Sequence, residues 1–230
     1  MSFVVAIDGP AGSGKGTVTK LVGEKLGLVN IDTGATYRCV TLAAINRGYK
    51  LEEEKKIVNL LDEIDIEFKK TENEEKVFLN GKDVTKEIRS KEVNEMVSQV
   101  SHIPEVRENM ANFQRKIAEG KNVIMEGRDI GTNVFPNADV KIYLDATPEE
   151  RAKRRMKQNE EKGIEISYEE VLENIKFRDH NDKTSSVAPL KQAEDAIYID
   201  SSNLSIEEVT EKIIEIINSH FGDASKKGKN

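Results

Sequence analysis

The chain has 230 residues, 37% of them hydrophobic and 33% charged, a composition typical of a globular protein. Its formal net charge of −7 argues against a general role in coating nucleic acid, so basic residues for an anionic ligand must be clustered locally. The single cysteine, Cys39, excludes an intramolecular disulfide and favours a reducing, cytoplasmic location. No apolar stretch is long enough to cross a bilayer, and one cysteine with three scattered histidines offers no zinc site.

Short apolar runs alternate with helical patterns along most of the chain. The first run, Phe3–Ile7, stops at Asp8-Gly9 and predicts a buried strand, and a helix follows from about Lys15 to Gly27. Four more strands are predicted at Leu28–Ile31, Asn122–Met125, Val140–Leu144 and Ala196–Ile199. Strands that alternate with helices indicate an α/β fold around a parallel sheet.

Four helix starts carry clear signals. Pro104 opens one helix, which the apolar spacing extends to Gly120. The other three have capping boxes that begin at Thr147, Ser167 and Ser205.

Two segments differ from the α/β pattern. Ile64–Phe68 and Val77–Leu79 alternate apolar and polar residues, and Asn80-Gly81 is a hairpin signal, so a small antiparallel insertion is expected there. A second, helical insertion lies between the fourth and fifth strands and contains the basic cluster Arg151–Lys157.

A phosphate-binding loop is predicted directly after the first strand. It consists of Gly9, Pro10, Ala11, Gly12, Ser13, Gly14, Lys15, Gly16 and Thr17, which fit the pattern G-x-x-x-x-G-K between a strand and a helix. Backbone N–H groups and the helix N-terminus attract phosphate, and Lys15 can reach the outer phosphates. By itself this loop indicates only a nucleoside triphosphate. The Ser/Thr that usually follows the lysine is Gly16 here, so Mg²⁺ bound with the nucleotide is expected to be held mostly by phosphates and water.

Other classes of P-loop protein fit less well. The chain has no Asn-Lys pair, which a GTPase guanine signature requires, and no Ser-Gly-Gly signature of an ABC-type ATPase. Arginines occur in three separate loops without a histidine–acid pair, which favours phosphoryl transfer to an already anionic phosphate oxygen over transfer to an alcohol.

Three polar segments resemble those of the bacterial cytidylate kinases, which are P-loop nucleoside monophosphate kinases. They are Asp32–Arg38, Glu126–Thr132 and Arg178–Asp182, the last followed by Ala188–Leu190. Ser98-Gln-Val and Pro104–Arg107 add to the resemblance, which runs from about Val4 to about Ile217. It implies a three-layer P-loop fold with a five-stranded parallel sheet, in a single domain over residues 1–222 with a polar tail at 223–230. The antiparallel insertion, about 62–100, would bind the acceptor, and the helical insertion, about 148–190, would form a mobile lid.

The resemblance also implies a role for each matching residue. Thr33, Arg38 and Arg128 would hold the acceptor phosphate, and Tyr37 would border it. Ser98, Arg107 and Asp129 would read the cytosine base, and Arg178 and Asp182 would contact the ribose. Lys15, Arg128 and Arg178 would be catalytic. Independently of the resemblance, the basic cluster Arg151–Lys157 is usually a solvated helix face, but its charge complements that of ATP, so Arg154 or Arg155 of the lid is expected to contact ATP.

The chemistry of the base supports the assignment of Asp129 independently. Cytosine carries an amino donor where uracil has an oxygen acceptor, so a carboxylate accepts from cytosine and repels uracil. We therefore expect ATP and CMP or dCMP to be converted to ADP and CDP or dCDP, in pyrimidine nucleotide metabolism. A UMP- or AMP-preferring kinase and a nucleotide-binding switch without turnover remain alternatives. We expect a monomer without nucleic-acid or membrane partners.

Two positions depart from the family pattern. Glu126 stands where the family often has Asp, and Ser185 stands where it commonly has Arg, so one lid cation is missing. Because Lys183 cannot reproduce a bidentate arginine contact, we expect the lid to contribute less to the rate than it would with arginine.

Overall fold

The computed structural model describes residues 2–70, 75–161 and 163–222. In chain order the strands are β1 Val4–Asp8, β2 Val29–Asp32, β3 Ile66–Lys70, β4 Glu75–Leu79, β5 Lys82–Asp83, β6 Val123–Gly127, β7 Val140–Asp145 and β8 Ile197–Asp200. The helices are α1 Lys15–Leu26, α2 Thr33–Asn46, α3 Glu54–Asn59, α4 Lys91–Val100, α5 Pro104–Ala118, α6 Pro148–Glu161, α7 Tyr168–Thr184 and α8 Ile206–Phe221.

The chain forms two compact units, one made of residues 1–31 with 118–230 and the other of residues 32–117. The first unit is built on a five-stranded parallel sheet in the order β2-β6-β1-β7-β8. The five strands predicted from apolar runs are these five, with no start or end displaced by more than two residues. The α/β fold with a parallel sheet is therefore confirmed.

The central strand of this sheet sets the position of the phosphate loop. β1 lies between β6 and β7, and Asp8 at its end is opposite Gly127 on one side and Tyr143 on the other. The helices α1 and α8 cover the sheet with apolar side chains such as Val22 and Ile213, which are fully buried with those of the strands. Because neighbouring parallel strands end at the same edge, the segments that follow β1 and β6 lie side by side.

The predicted helix boundaries agree closely with the structure. α1 ends at Gly27, whose φ of 69° is the left-handed conformation of a glycine C-cap. Both halves of the capping box are formed at Ser167 and at Ser205. At the start of α6, Thr147 Oγ1 accepts from Glu150 N at 3.3 Å, and α5 begins at Pro104 and ends two residues before the predicted Gly120.

The second unit contains a small antiparallel sheet in the order β3-β4-β5. The turn between β4 and β5 is formed by Asn80, with φ 50°, and Gly81, with φ 77°, as the Asn-Gly signal predicted. Its core buries Cys39 completely. Burial, with a smaller contribution from the nearby Asp32 carboxylate, raises the pKa of the Cys39 thiol to about 12, so this cysteine is a packing residue.

The polar tail predicted at 223–230 lies outside the described residues. Within the described ranges, none of the helices combines the length and apolar character that a membrane span requires.

Candidate active site

The phosphate loop joins β1 to α1 in a conformation that depends on glycine. Gly9 has a φ of 151°, and a Cβ atom built on it would lie only 2.0 Å from the carbonyl oxygen of Leu144. Gly14, with a φ of 95°, is the N-cap of α1. The loop therefore packs against β7 and presents the N-terminus of α1, which is the arrangement that attracts phosphate.

Lys15 is the buried cation of this loop. Only 5% of the residue is exposed, and its Nζ donates to the carbonyl oxygens of Gly9 and Pro10, both at 2.7 Å. Burial, and next the positive charge of Arg128, lower the pKa of Lys15 to about 7, although nearby carboxylates oppose this shift. A bound anion would therefore stabilise the charged form of Lys15.

Asp8 is a buried carboxylate that the sequence analysis missed. It ends β1, is 4% exposed, and accepts from Ile130 N at 2.8 Å and from Gly131 N at 2.7 Å. Burial raises its pKa to about 6, and the two backbone hydrogen bonds limit the rise. The available signal was a charged residue at the end of an otherwise apolar strand.

Arg128 and Asp129 directly follow β6. Arg128 Nε donates to Asp182 Oδ2 of α7 at 2.9 Å, so two residues assigned to the acceptor form a pair. Asp129 is 4% exposed and accepts from Asn133 Nδ2 at 2.9 Å. It precedes a single wide helical turn of π type, Ile130–Val134, which no sequence pattern predicted.

A cavity of about 180 Å³ adjoins the phosphate loop and is lined by two of the predicted arginines. These are Arg155 of α6 and Arg178 of α7, which share the cavity with Ala11 and Gly12 of the loop. Two guanidinium groups beside a phosphate loop suit a polyphosphate ligand, because arginine pairs with phosphate oxygens in a bidentate manner.

Arg154 has a different environment from its neighbour Arg155. Its guanidinium group donates to Ser13 O at 3.3 Å and to Ser201 O at 2.6 Å, so it binds the phosphate loop to the segment after β8. The two lid arginines, between which sequence reasoning did not choose, are thereby distinguished.

Arg151 and Asp179 form an ion pair that sequence reasoning did not identify. The guanidinium group contacts both carboxylate oxygens, at 2.8 and 2.5 Å, and the side chains are only 3% and 13% exposed. Arg151 also donates to Ala11 O of the loop at 3.1 Å and to Ala146 O at 2.9 Å. The charge of Arg151 is therefore paired inside the protein. A basic cluster on a helix usually forms a solvated face instead.

Both departures from the family pattern have structural correlates. A Cβ atom on Gly16 would lie 2.9 Å from Glu126 Oε1, so a larger residue at this position would displace the Glu126 carboxylate. The longer Glu thus occupies the space that the usual hydroxyl residue would need. Ser185 lies directly after α7, where its Oγ is buried and, among the described residues, has no hydrogen-bond partner.

The second unit holds the remaining five predicted acceptor residues. Thr33 and Tyr37 are buried in α2, whose N-terminus is capped by the Asp32 side chain. The Arg107 guanidinium lies 5.6 Å from the centroid of the Tyr37 ring, which is the distance of a cation–π contact. Two more lie nearby in the same unit: Arg38 Nη1 donates to Asn94 Oδ1 at 2.6 Å, and the half-buried Ser98 lies on α4.

The phosphate loop, its buried lysine and the arginine-lined cavity define a P-loop protein of the kinase class. A family model described as cytidylate kinase matches residues 5–219. The chain is 51% identical to a cytidylate kinase of Caldicellulosiruptor bescii over 92% of this chain and 94% of that one. It is 48% identical to a cytidylate kinase of Bacillus subtilis, over 93% and 95% of the two chains.

The chain belongs to the cytidylate kinase family. Among solved structures, an uncharacterized protein from Eubacterium ventriosum is similar in fold, with a TM-score of 0.53 at 16% identity over 95% of this chain and 99% of that one. The family resemblance carried by the three polar segments is therefore confirmed.

Proposed function

We propose that the loop around Lys15 holds the triphosphate of ATP and that the polar segments after β2 and β6 bind the acceptor. As a member of the cytidylate kinase family, the chain is an enzyme that phosphorylates CMP or dCMP with ATP, giving CDP or dCDP. One observation carries the residue assignment. The phosphate loop and the buried Asp129 follow neighbouring strands, β1 and β6, of a single sheet.

The donor side of the reaction uses the residues of the first unit. Backbone N–H groups of the loop and the N-terminus of α1 bind the phosphates, and Lys15 neutralises the outer ones. The cavity shared by Arg155, Arg178 and the loop supports Arg155 as the lid residue that contacts the donor. Positioning and charge neutralisation lower the barrier, because the acceptor oxygen is already anionic and needs no general base.

The acceptor side follows the roles implied by the family. Thr33, Arg38 and Arg128 bind the phosphate of CMP, with Tyr37 beside it. Ser98, Arg107 and Asp129 read the base, and Arg178 and Asp182 bind the ribose. The pairing of Arg128 with Asp182 supports this proposal, since one contact orients both side chains.

Replacing Asp129 by Asn is the test of base recognition. The asparagine amide can accept from the cytosine amino group or donate to the uracil oxygen, so the preference for CMP over UMP in kcat/KM should fall about 10- to 100-fold. Asp139→Asn serves as the control, because it makes the same carboxylate-to-amide change at a residue that binds Val4 N, at the start of β1 and away from the site. An unchanged CMP/UMP ratio in Asp129→Asn would refute the assignment.

Magnesium fits the residues around the loop. The Glu126 carboxylate lies at Gly16, where it can bind a hydrated ion, and Thr17 supplies a hydroxyl one residue further on. No set of three His, Cys, Asp or Glu side chains within the described ranges could ligate a metal. This donor set suits Mg²⁺, which keeps several waters and binds mainly to substrate phosphates. When bound, the ion would neutralise charge on the phosphates of ATP.

The lowered pKa of Lys15 makes ATP binding dependent on pH. At pH 8, above the pKa of about 7, Lys15 of the ligand-free chain is mostly neutral. The phosphate charges of ATP favour the ammonium form of Lys15, so ATP binding at this pH should be accompanied by the uptake of about one proton. The affinity for ATP should therefore decrease as the pH rises above 7. Titration calorimetry at pH 8 in buffers of different ionisation enthalpy measures this uptake. The Lys15→Arg variant, whose guanidinium group is always charged, should take up no proton at this position. The absence of proton uptake by the wild-type chain would contradict the prediction.

The overall activity is tested by ADP release with Mg-ATP and CMP, dCMP, UMP or AMP. Strong turnover with CMP and weak turnover with UMP supports the proposal, whereas a preference for UMP or AMP overturns the base-site assignment. ATP hydrolysis without an acceptor requirement would favour a nucleotide-binding switch. The proposal includes a monomeric enzyme in the cytoplasm, with one domain over residues 1–222, an acceptor insertion at about 62–100 and a lid at about 148–190.

A further inference from the structure

A buried carboxylate next to a phosphate loop is electrostatically unfavourable for nucleotide binding. Asp8 directly precedes Gly9 and is 4% exposed, so its charge would repel the phosphates that Lys15 attracts. Burial also disfavours its charged form. An acidic side chain at this position therefore needs a role that outweighs these costs.

The hydrogen bonds of Asp8 indicate that role. One carboxylate oxygen accepts from Ile130 N at 2.8 Å and the other from Gly131 N at 2.7 Å. Both donors belong to the first residues of the π-type turn after Asp129. The approach is close, since a Cβ atom on Gly131 would lie 3.4 Å from Asp8 Oδ2 and 3.1 Å from Lys141 Cδ.

Asp8 consequently fixes both ends of the segment that contains Arg128 and Asp129. Before the segment, the backbone of Asp8 is in register with Gly127, because β1 and β6 pair in parallel. After the segment, the Asp8 side chain binds the two backbone N–H groups. Two side chains that must meet a phosphate and a base are thus carried by a short loop fixed at each end, which is the rigid support that recognition requires.

We propose that Asp8 is a positioning residue that sets the direction of Arg128 and Asp129, and through them the selectivity for the acceptor base. The inference rests on the proposed role of Asp129 in reading cytosine. Asp8 itself contacts neither the base nor the transferred group in this scheme. Its effect is transmitted through the backbone of Ile130 and Gly131.

The test is Asp8→Asn, which has nearly the same shape but only one oxygen acceptor. Its amide group faces a backbone N–H instead of accepting from it, so one of the two bonds is lost. We expect the CMP/UMP ratio of kcat/KM to fall by about tenfold, with the KM for CMP rising more than the KM for ATP. Loss of fold stability alone would lower both activities together and leave the ratio unchanged.

A matched control exists at the other end of the same strand. Asp139 Oδ2 accepts from Val4 N at 2.8 Å, so Asp139→Asn makes the same carboxylate-to-amide change beside the β1 backbone, at the end opposite the site. This variant should keep the CMP/UMP ratio. If Asp8→Asn does not fold, Asp8→Glu replaces it, because Glu keeps both acceptors but displaces them by about one bond length.

The outcomes separate the inference from the function on which it rests. If the wild-type chain does not prefer CMP over UMP, the proposed base site itself is overturned. If the wild-type chain prefers CMP and the Asp8 variant keeps the same preference, only the proposed role of Asp8 is overturned. A lower ratio in the Asp8 variant and an unaltered ratio in Asp139→Asn would support it.

Discussion

Replacing Lys15 by Met should lower kcat by about 10²- to 10³-fold. The ammonium group is the charge inside the phosphate loop, with Nζ 2.7 Å from two loop carbonyl oxygens. It is expected to interact most strongly with the outer phosphates as charge develops during transfer, so kcat should fall more than the KM for ATP rises. The activity should be lost without unfolding of the chain. Met removes a buried amino group, and burial has already lowered the pKa of that group.

The measurement is steady-state ADP release with CMP, accompanied by a melting curve of each variant. Lys20→Met is the matched control, since Lys20 lies on the same helix, α1, but is exposed. It should retain its rate within about twofold. A Lys15→Met enzyme that turns over like Lys20→Met would show that the loop does not hold the reacting phosphates.

The features that follow from local sequence were predictable. An apolar run with a glycine-rich loop and a helix predicts β1, the phosphate loop and α1, because each element is specified by its own residues. The capping boxes at Ser167 and Ser205 and the Asn80-Gly81 turn are equally local and were predicted correctly. Strand ends were displaced by one or two residues, since hydrogen-bond pairing, rather than apolarity, decides where a strand stops.

The features that depend on long-range contacts were not predictable. Asp8 and Gly131 are separated by 123 positions, and only the pairing of β1 with β6 brings them together. In the sequence, the charge at the end of β1 indicates only where the strand stops. The π-type turn after Asp129 likewise has no local pattern, because the Asp8 carboxylate holds its first backbone N–H groups.

The basic cluster illustrates the same limit. The sequence gives no means of distinguishing Arg151, Arg154 and Arg155 by environment, and charge complementarity to ATP favours Arg154 or Arg155 without choosing between them. In the structure Arg151 is buried against Asp179 and Arg155 lines the cavity. Arg154 donates to one carbonyl of the phosphate loop and to one of the segment after β8. Helical spacing gives each residue a direction, but the partner on another element determines whether its charge serves the fold or a ligand.

Replacing Asp179 by Leu should destabilise the chain by about 3 to 5 kcal/mol, because it leaves the Arg151 charge buried without its carboxylate. The pair has two contacts, at 2.8 and 2.5 Å, and its arginine side chain is only 3% exposed. For a protein of this size the melting temperature should fall by about 6 to 20 °C. The double variant Arg151→Met with Asp179→Leu should lose less than the single variant, because no isolated charge remains.

Urea unfolding of the single and double variants measures both free energies. Glu149→Ala provides the matched control, since Glu149 pairs with Lys176 at 4.0 Å across the same two helices, α6 and α7, with side chains 54% and 58% exposed. This exposed pair should contribute no more than about 1 kcal/mol. A loss in Asp179→Leu as small as in Glu149→Ala would mean that solvent or neighbouring groups stabilise the Arg151 charge. A double variant less stable than the single one would mean that the arginine contacts with Ala11 and Ala146 outweigh the ion pair. The expected result is that Asp179→Leu has the lowest free energy of unfolding of the three variants. This result would mean that Arg151 holds the helices α6 and α7 against the phosphate loop.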